Sequence, residues 1–226
     1  TAQLTITMVE APSAGTNGTL NVCSTASAQD LFASLVGSPD AGGTWTRPGN
    51  LPHSGQFIPG TDPAGTYTYR VAGQSPCADA TATVAVTVQT AVDPGTSTST
   101  SVCSNGASVN IKTLLGTTAT GTWSGPSTVT SNLYDPVTMT PGTYTFSVAA
   151  TGVCPSVSAT VGVTEVQAPD AGNNGTLTVC SSGANVDLFT RLGGAPNSGG
   201  TWTTSGNIPF PTGIFVPGTS TAGTYT

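Results

Sequence analysis

Apolar and polar residues alternate with a period of two in short runs along this chain. The clearest run is Ala78–Gln89, ADATATVAVTVQ, with Val84, Val86 and Val88 on one face. Thr66–Ala72, TYTYRVA, alternates as well, and the Gly-Gln-Ser-Pro-Cys stretch at 73–77 between the two reads as a hairpin turn. Upstream, Thr19–Cys23, Gly43–Thr46 and Gln56–Pro59 read as further short strands. Ala28–Leu35 fits a strand or a single helical turn, since Leu31, Phe32 and Leu35 are spaced for either. No segment sustains a 3.6-residue period over about ten residues, so no long amphipathic helix is expected. About six or seven strands in each 80 residues, separated by turn signals, predict an all-β chain of β-sandwiches.

The pattern then repeats. APSAGTNGTLNVC at Ala11–Cys23 returns as APDAGNNGTLTVC at Ala168–Cys180. DLF recurs at Asp30 and Asp187, GGTWT at Gly42 and Gly199, and AGTYT at Ala64 and Ala222. A more divergent copy lies between them: AVDPG at Ala91, SVC at Ser101, GTW at Gly121 and PGTYTF at Pro141. A unit of about 80 residues is too long for a solenoid coil and suits a small domain. The expected modules are therefore 11–90, 91–167 and a truncated 168–226. Thr1–Glu10, TAQLTITMVE, matches Thr81–Thr90 in alternation and is expected to be the last strand of a preceding module of a longer chain. The junctions are short and contain Pro94 and Pro169. Proline fixes φ and restricts its predecessor, so the modules are expected to join stiffly into a rod.

The repeat also marks the core. Trp45, Trp123 and Trp202 each follow the first cysteine of their module by about the same distance. Phe32 and Phe189 are equivalent, and Tyr67, Tyr144 and Tyr225 all sit in G-T-Y-T. All eight are read as core, with the tyrosine hydroxyls bonded to backbone at the entry to a late strand. Exposed aromatics stacking on carbohydrate are the alternative.

Composition narrows the partners. Charged residues are 6% of the chain, the net charge is −6, and the four basic residues Arg47, Arg70, Lys112 and Arg191 are scattered. They cannot form the basic patch that nucleic acid or an anionic membrane surface requires. No apolar run is long enough to insert as a membrane helix. The 43 threonines favour strands and supply polarity without charge. The cysteines are Cys23, Cys77, Cys103, Cys154 and Cys180. Cys77 lies 54 positions after Cys23, and Cys154 lies 51 after Cys103. That matched spacing predicts one disulfide inside each complete module, Cys23–Cys77 and Cys103–Cys154, with the partner of Cys180 missing. Free buried thiols are the alternative. Disulfides point to an oxidising, extracellular setting.

Material for catalysis is scarce. The single histidine, His53, is read as an exposed loop residue, and the third repeat has NIPFPTG in that place. No nucleophile elbow, phosphate loop or dinucleotide fingerprint occurs. No enzymatic activity, cofactor or catalytic residue is expected. Calcium merits weighing, because Asp62, Asp93 and Asp170 are turn carboxylates. They fail to recur: Ser13 replaces Asp170, Ser220 or Thr221 replaces Asp62, and Asn110 stands where Asp30 and Asp187 do. These residues are read as turn caps, and no metal site is expected. Asn17-Gly-Thr and Asn174-Gly-Thr match both the N-glycosylation triplet and the Asn-Gly turn, and the turn reading is preferred.

The succession V-C, D-L-F, G-G-T-W, a proline-bounded loop, and G-T-Y-T-Y-R-V…P-C-A-D-A-T-A-T-V-A-V-T-V resembles the tandem immunoglobulin-like repeats of giant Bacteroidota cell-surface adhesins. The gliding-motility adhesins carried by the type IX secretion system are members. The resemblance spans nearly the whole chain. It implies immunoglobulin-like sandwiches in a rod, export to the cell surface, and a role as a stalk or filament that extends an adhesive region. The partners it implies are further modules of the same chain, neighbouring filament subunits, and secretion or motility machinery. The alternative is a series of weak glycan-binding modules acting by avidity on surface glycans. Covered aromatics would favour the stalk, and exposed ones beside Asn and Asp would favour glycan binding.

Overall fold

A computed structural model describes residues 1–226. The chain divides into two compact units. One comprises Thr1–Val102 and Ala107–Thr164; the other comprises Cys103–Gly106 and Glu165–Thr226.

The first repeat runs through β1 (Gly18–Cys23), β2 (Gln29–Asp30), β3 (Thr44–Arg47), β4 (Leu51–His53), β5 (Gln56–Phe57), β6 (Gly65–Val71) and β7 (Ala80–Gln89). Five strands form one sheet in the order β1-β7-β6-β3-β4, and β2 pairs with β5 in a second. The β6–β7 hairpin sets the register: Tyr67 opposes Val84, and Tyr69 opposes Ala82. Period two puts these four on one face, and all four are buried. Phe57 of the second sheet and Leu31, directly after β2, join that face in the core, along with Trp45, Val22 and Val86. The Phe57 ring stands edge-on to Tyr67 at 5.7 Å.

One pairing was not legible from alternation. β1 lies parallel to β7, with Gly18 opposite Val84 and Cys23 opposite Gln89. A first strand parallel to the last, a β7-β6-β3 sheet, and a facing β2–β5 pair together give an immunoglobulin-like sandwich. Asn17-Gly18 opens β1 and is not a hairpin turn: Asn17 Oδ1 accepts from Thr83 N at 2.8 Å and ties the strand to β7.

The ambiguous Ala28–Leu35 segment divides into β2 and a single 3₁₀ turn at Phe32–Ser34. Leu31 is fully buried there and Phe32 half-buried, with its ring edge-on to Tyr69 at 5.5 Å. The second repeat turns more fully. After β8 (Thr98–Cys103) and β9 (Val109–Asn110), a short α1 (Ile111–Leu115) replaces the 3₁₀ turn. Asn110 Oδ1 caps it by accepting from Lys112 N and Thr113 N. β10 (Thr122–Ser124), β11 (Leu133–Tyr134), β12 (Gly142–Val148) and β13 (Val157–Val166) follow, in the orders β10-β12-β13-β8 and β11-β9.

The third repeat is thinner: β14 (Val186–Asp187), β15 (Thr203–Thr204), β16 (Ile208–Pro209) and β17 (Ile214–Phe215), paired β14–β17 and β15–β16. Thr176–Cys180 matches β1 in sequence yet forms no strand. β1 owes its ladder to β7, and residues 168–226 contain no β7 equivalent. Thr1–Glu10 likewise alternates without pairing, and Leu4, Ile6 and Met8 are exposed.

Each G-T-Y-T tyrosine closes a tyrosine corner. Tyr67 donates its hydroxyl to Pro63 O at 2.8 Å, Tyr144 to Thr140 O at 2.5 Å, and Tyr225 to Thr221 O at 2.8 Å. Burial, reinforced by the Asp62 carboxylate, raises the Tyr67 pKa and keeps the phenol a donor. Tyr67 and Tyr144 are fully buried, while Tyr225 is half-buried. Trp45 is buried; Trp123, Trp202 and Phe189 are half-buried. The tryptophans therefore share a position without sharing a depth. The Trp123 indole N–H donates to Asn132 Oδ1 at 3.0 Å in a part-buried bond.

Candidate functional site

The residues with chemical potential are engaged in structure. His53 lies on β4 with its side chain largely covered, so the exposed-loop reading is corrected. Its Nδ1 accepts from Gly55 N at 3.1 Å and its Nε2 lies 3.3 Å from Asp62 Oδ2. Its ring packs on Tyr67 at 4.9 Å, as Phe210 packs on Tyr225 at 4.9 Å in the third repeat. A position served equally by His and Phe is a packing position.

The turn carboxylates repeat as caps. Gly15 N donates to Ser13 Oγ at 3.2 Å, Gly95 N to Asp93 Oδ1 at 2.9 Å and Gly172 N to Asp170 Oδ1 at 2.7 Å. Ser and Asp thus fill one role in three repeats. Asp30 and Asp187 cap in the same way, each accepting at 2.9 Å from the amide two residues on, where Asn110 caps α1. Asp62 and Ser220 accept from Ile58 N at 2.8 Å and Val216 N at 3.0 Å. A site that accepts Ser, Asn and Asp alike serves the backbone and not a cation. The chain is an immunoglobulin-like scaffold in which no three His, Cys, Asp or Glu side chains gather as they would around a metal ion, and none of its helices is long and apolar enough to cross a membrane.

What stands out is the joint between the first and second repeats, inside the larger unit. Cys23 bonds to Cys154, with their Cα atoms 4.9 Å apart and the two residues 131 positions apart in sequence. Cys77, Cys103 and Cys180 are free thiols. The expected pairings Cys23–Cys77 and Cys103–Cys154 are therefore corrected. The reason is which end of the sandwich each cysteine occupies. β1 runs parallel to β7, so Cys23 emerges beside Gln89, where the chain leaves the repeat. Cys77 lies at the opposite end, in the turn between β6 and β7. The β12–β13 turn of the second repeat brings Cys154 to that exit instead.

Several contacts secure the joint. Ser24 N donates to Gln89 O at 2.8 Å, and Ala91 N donates to Ser24 Oγ at 2.9 Å, fixing the path of the linker. Val153 N donates to Gln89 Oε1 at 3.2 Å. The Cys154 sulfur lies 3.4 Å from Gln89 O. Thr151 and Cys154 exchange both backbone hydrogen bonds, at 3.1 and 3.0 Å, closing a tight turn. Gly152 in that turn has φ +56°, and a Cβ there would sit 2.2 Å from Gln89 Oε1. A shallow cleft of about 270 Å³ at the joint is lined by Asn21, Val22, Thr87, Gln89, Gly152 and Val153. No charged side chain lines it.

The Cys77 turn is held by other means. Cys77 N donates to Gln74 O at 2.7 Å. Asp79 accepts from Gly73 N at 2.8 Å and from Arg70 Nε at 2.8 Å. The Gly73 amide, with Arg70 second, lowers the Asp79 pKa.

No protein-family model matches the sequence, and no curated protein matches it. Among solved structures, the chain is similar to a three-domain titin fragment, I67–I69 in an E-to-A variant, at 12% identity and a TM-score of 0.37, covering 88% of this chain and 81% of that one. It is also similar to the titin tandem A164–A165 at 13% identity and 0.23, covering 70% and 98%. Extracellular domains 3–5 of Drosophila OTK align at 17% identity and 0.27, covering 74% and 69%. At these identities and scores the likeness carries no weight for function. The immunoglobulin-like assignment rests on strand order and the tyrosine corners.

Proposed function

We propose that this chain is the structural stalk of a secreted cell-surface adhesin, a run of repeats that extends an adhesive region away from the cell. The observation that carries the reading is the Cys23–Cys154 bond, which joins one repeat covalently to the next. A bond placed between repeats serves an array more than a single bead. Its existence fits an oxidising compartment outside the cytosol. The aromatics support a stalk over glycan binding: every Trp, Tyr and Phe is buried or half-buried, so none offers an open stacking face. The resemblance to the repeats of Bacteroidota gliding adhesins supplies the surface setting and the export route.

The test is antibody against this chain applied to intact cells, combined with in-frame deletion of the repeats. Surface labelling is expected, and deletion is expected to shorten the reach of the adhesin and weaken attachment to a substratum. Labelling seen only after permeabilisation would overturn the proposal. A glycan array is expected to give no specific signal with the 226-residue chain.

A further inference from the structure

We infer that the Cys23–Cys154 bond is one rung of a ladder: Cys103 pairs with the β6–β7-turn cysteine of the repeat that follows it, and Cys77 with the β1 cysteine of the repeat before it. The inference rests on the reading of the chain as an array of repeats, and not on secretion or adhesion. It stands on two sets of contacts that recur where the bond itself is absent.

The first set surrounds Cys103. Aligning the repeats places Cys103 over Cys23, Ser104 over Ser24 and Val166 over Gln89. Ser24 N donates to Gln89 O at 2.8 Å, and Ser104 N donates to Val166 O at 2.9 Å. Ala91 N donates to Ser24 Oγ at 2.9 Å, and Ala168 N donates to Ser104 Oγ at 2.9 Å. The linker leaving the second repeat thus follows the same hydrogen-bonded path as the linker leaving the first. Cys103 sits at the start of that path, exposed, with its thiol donating to Asn105 Oδ1 at 3.0 Å. Cys23, with its partner in place, is buried.

The second set surrounds Cys77, which aligns with Cys154. Cys154 approaches the carbonyl of Gln89, the end of the preceding repeat's last strand, at 3.4 Å. Val9 occupies the Gln89 position in TAQLTITMVE. The Cys77 thiol donates to Val9 O at 3.6 Å. The turn cysteine of the first repeat therefore meets the segment that precedes that repeat through the carbonyl equivalent to the one met by the turn cysteine of the second. The β1 cysteine of a preceding repeat would emerge beside that carbonyl, as Cys23 emerges beside Gln89. Two repeats, two joints and one arrangement of strand end and turn make the bonded joint the pattern for the others.

The chemistry is thiol–disulfide exchange. A Cys103 thiolate attacks the sulfur of a low-molecular-weight disulfide such as oxidised glutathione and expels one glutathione thiolate. The turn cysteine, as thiolate, then attacks the mixed disulfide and expels the second. Two protein thiols lose two protons and two electrons, and one glutathione disulfide becomes two glutathiones.

The test extends the chain by its own sequence. Residues 69–89, which follow AGTYT in the first repeat, are appended after Thr226, where the chain ends in the same motif. The third repeat then gains a β6–β7 hairpin carrying a copy of Cys77. The extended and the unextended chains are refolded in a glutathione redox buffer, their free thiols are counted, and non-reduced peptides are mapped by mass spectrometry. The unextended chain is expected to show its three free thiols and the Cys23–Cys154 link. The extended chain is expected to hold two free thiols of the possible four, with Cys103 joined to the appended cysteine. Cys103→Ser in the extended chain is expected to leave the appended cysteine free while Cys23–Cys154 persists. Free Cys103 beside an intact Cys23–Cys154 bond would overturn the ladder, and so would a Cys77–Cys103 link. The same mapping on the native protein, alkylated on extraction, is expected to find Cys77 joined to the β1 cysteine of a preceding repeat. Recovery of Cys77 as a free alkylated thiol beside an intact Cys23–Cys154 bond would overturn that half. The refolding sets its own redox conditions, and in the native protein the Cys23–Cys154 bond reports whether the surroundings are oxidising, so failure of the ladder and failure of the adhesin reading are separate outcomes.

Discussion

At the scale of the residue, the corner tyrosines and the tryptophans make different demands. Tyr67 and Tyr144 bury their rings fully and direct one hydroxyl to the carbonyl four residues earlier. Tyr67→Phe keeps the ring and removes only that bond, so a loss of about 1 kcal/mol is expected on chemical denaturation of the oxidised chain. Trp45→Ala removes a buried indole and should cost about 3–5 kcal/mol. Trp123 is only half-buried, so Trp123→Ala is expected to cost less. Equal losses at the two positions would contradict the difference in depth. His53→Phe installs the residue that the third repeat already uses over its tyrosine, and a change within about 1 kcal/mol is expected. The buried Phe57, Tyr69, Tyr134 and Phe146 went unmarked, while the eight recurring aromatics were legible, because a repeat shows the same residue at the same place. Their depth was not, because it depends on the facing strand. The cover over His53 was hidden for the same reason: Asp62 and Tyr67 reach it only through the fold.

At the scale of the element, alternation reveals the buried face of a strand and says nothing about its neighbour. The face of β7 that carries Val84, Val86 and Val88 could be read from the sequence; the first two are buried together with Ala82, and Val88 is half-buried. The parallel β1–β7 pairing could not, since β1 has no turn joining it to β7 and its ladder comes from a strand some 60 positions away. Thr176–Cys180 shows the consequence, being β1 in sequence and no strand in structure. The turn that carries Cys154 is set by Gly152. Gly152→Val requires a strained positive φ and drives a Cβ into Gln89, so it is expected to lower stability by about 1–3 kcal/mol and to slow formation of the Cys23–Cys154 bond during oxidative refolding. The equivalent turn in the first repeat leans on Asp79. Its folded pKa is lowered, chiefly by the Gly73 amide and next by Arg70. Its contribution is therefore present above the unfolded carboxylate value and is lost as the pH falls through the lowered folded value. Asp79→Asn removes that contribution, so it should lower stability in the neutral region toward its acid value, leave the acid end nearly unchanged and flatten the limb between them.

At the scale of the whole molecule, periodicity predicted that the cysteines pair and could not say how. In an array, a partner 54 positions on within a repeat and a partner one repeat further along satisfy the same spacing. The choice depends on which end of a sandwich each sulfur occupies, and that follows from the parallel β1. Cys154→Ser is expected to destabilise the larger unit by about 3–5 kcal/mol, because the bond closes a very long loop. The bond also governs how the molecule responds to being pulled. Tension applied between the two ends reaches Cys23, crosses the sulfur bridge and continues from Cys154, so everything between them carries no load. The two cysteines lie 131 positions apart with only 4.9 Å between their Cα atoms, and at about 3.5 Å per residue the chain between them would otherwise release about 450 Å of slack. In an optical trap, the oxidised chain should yield a total extension shorter by about that amount than the chain held in reductant. A tether built this way holds its length while its domains are under strain, and lets go of it only where the surroundings turn reducing.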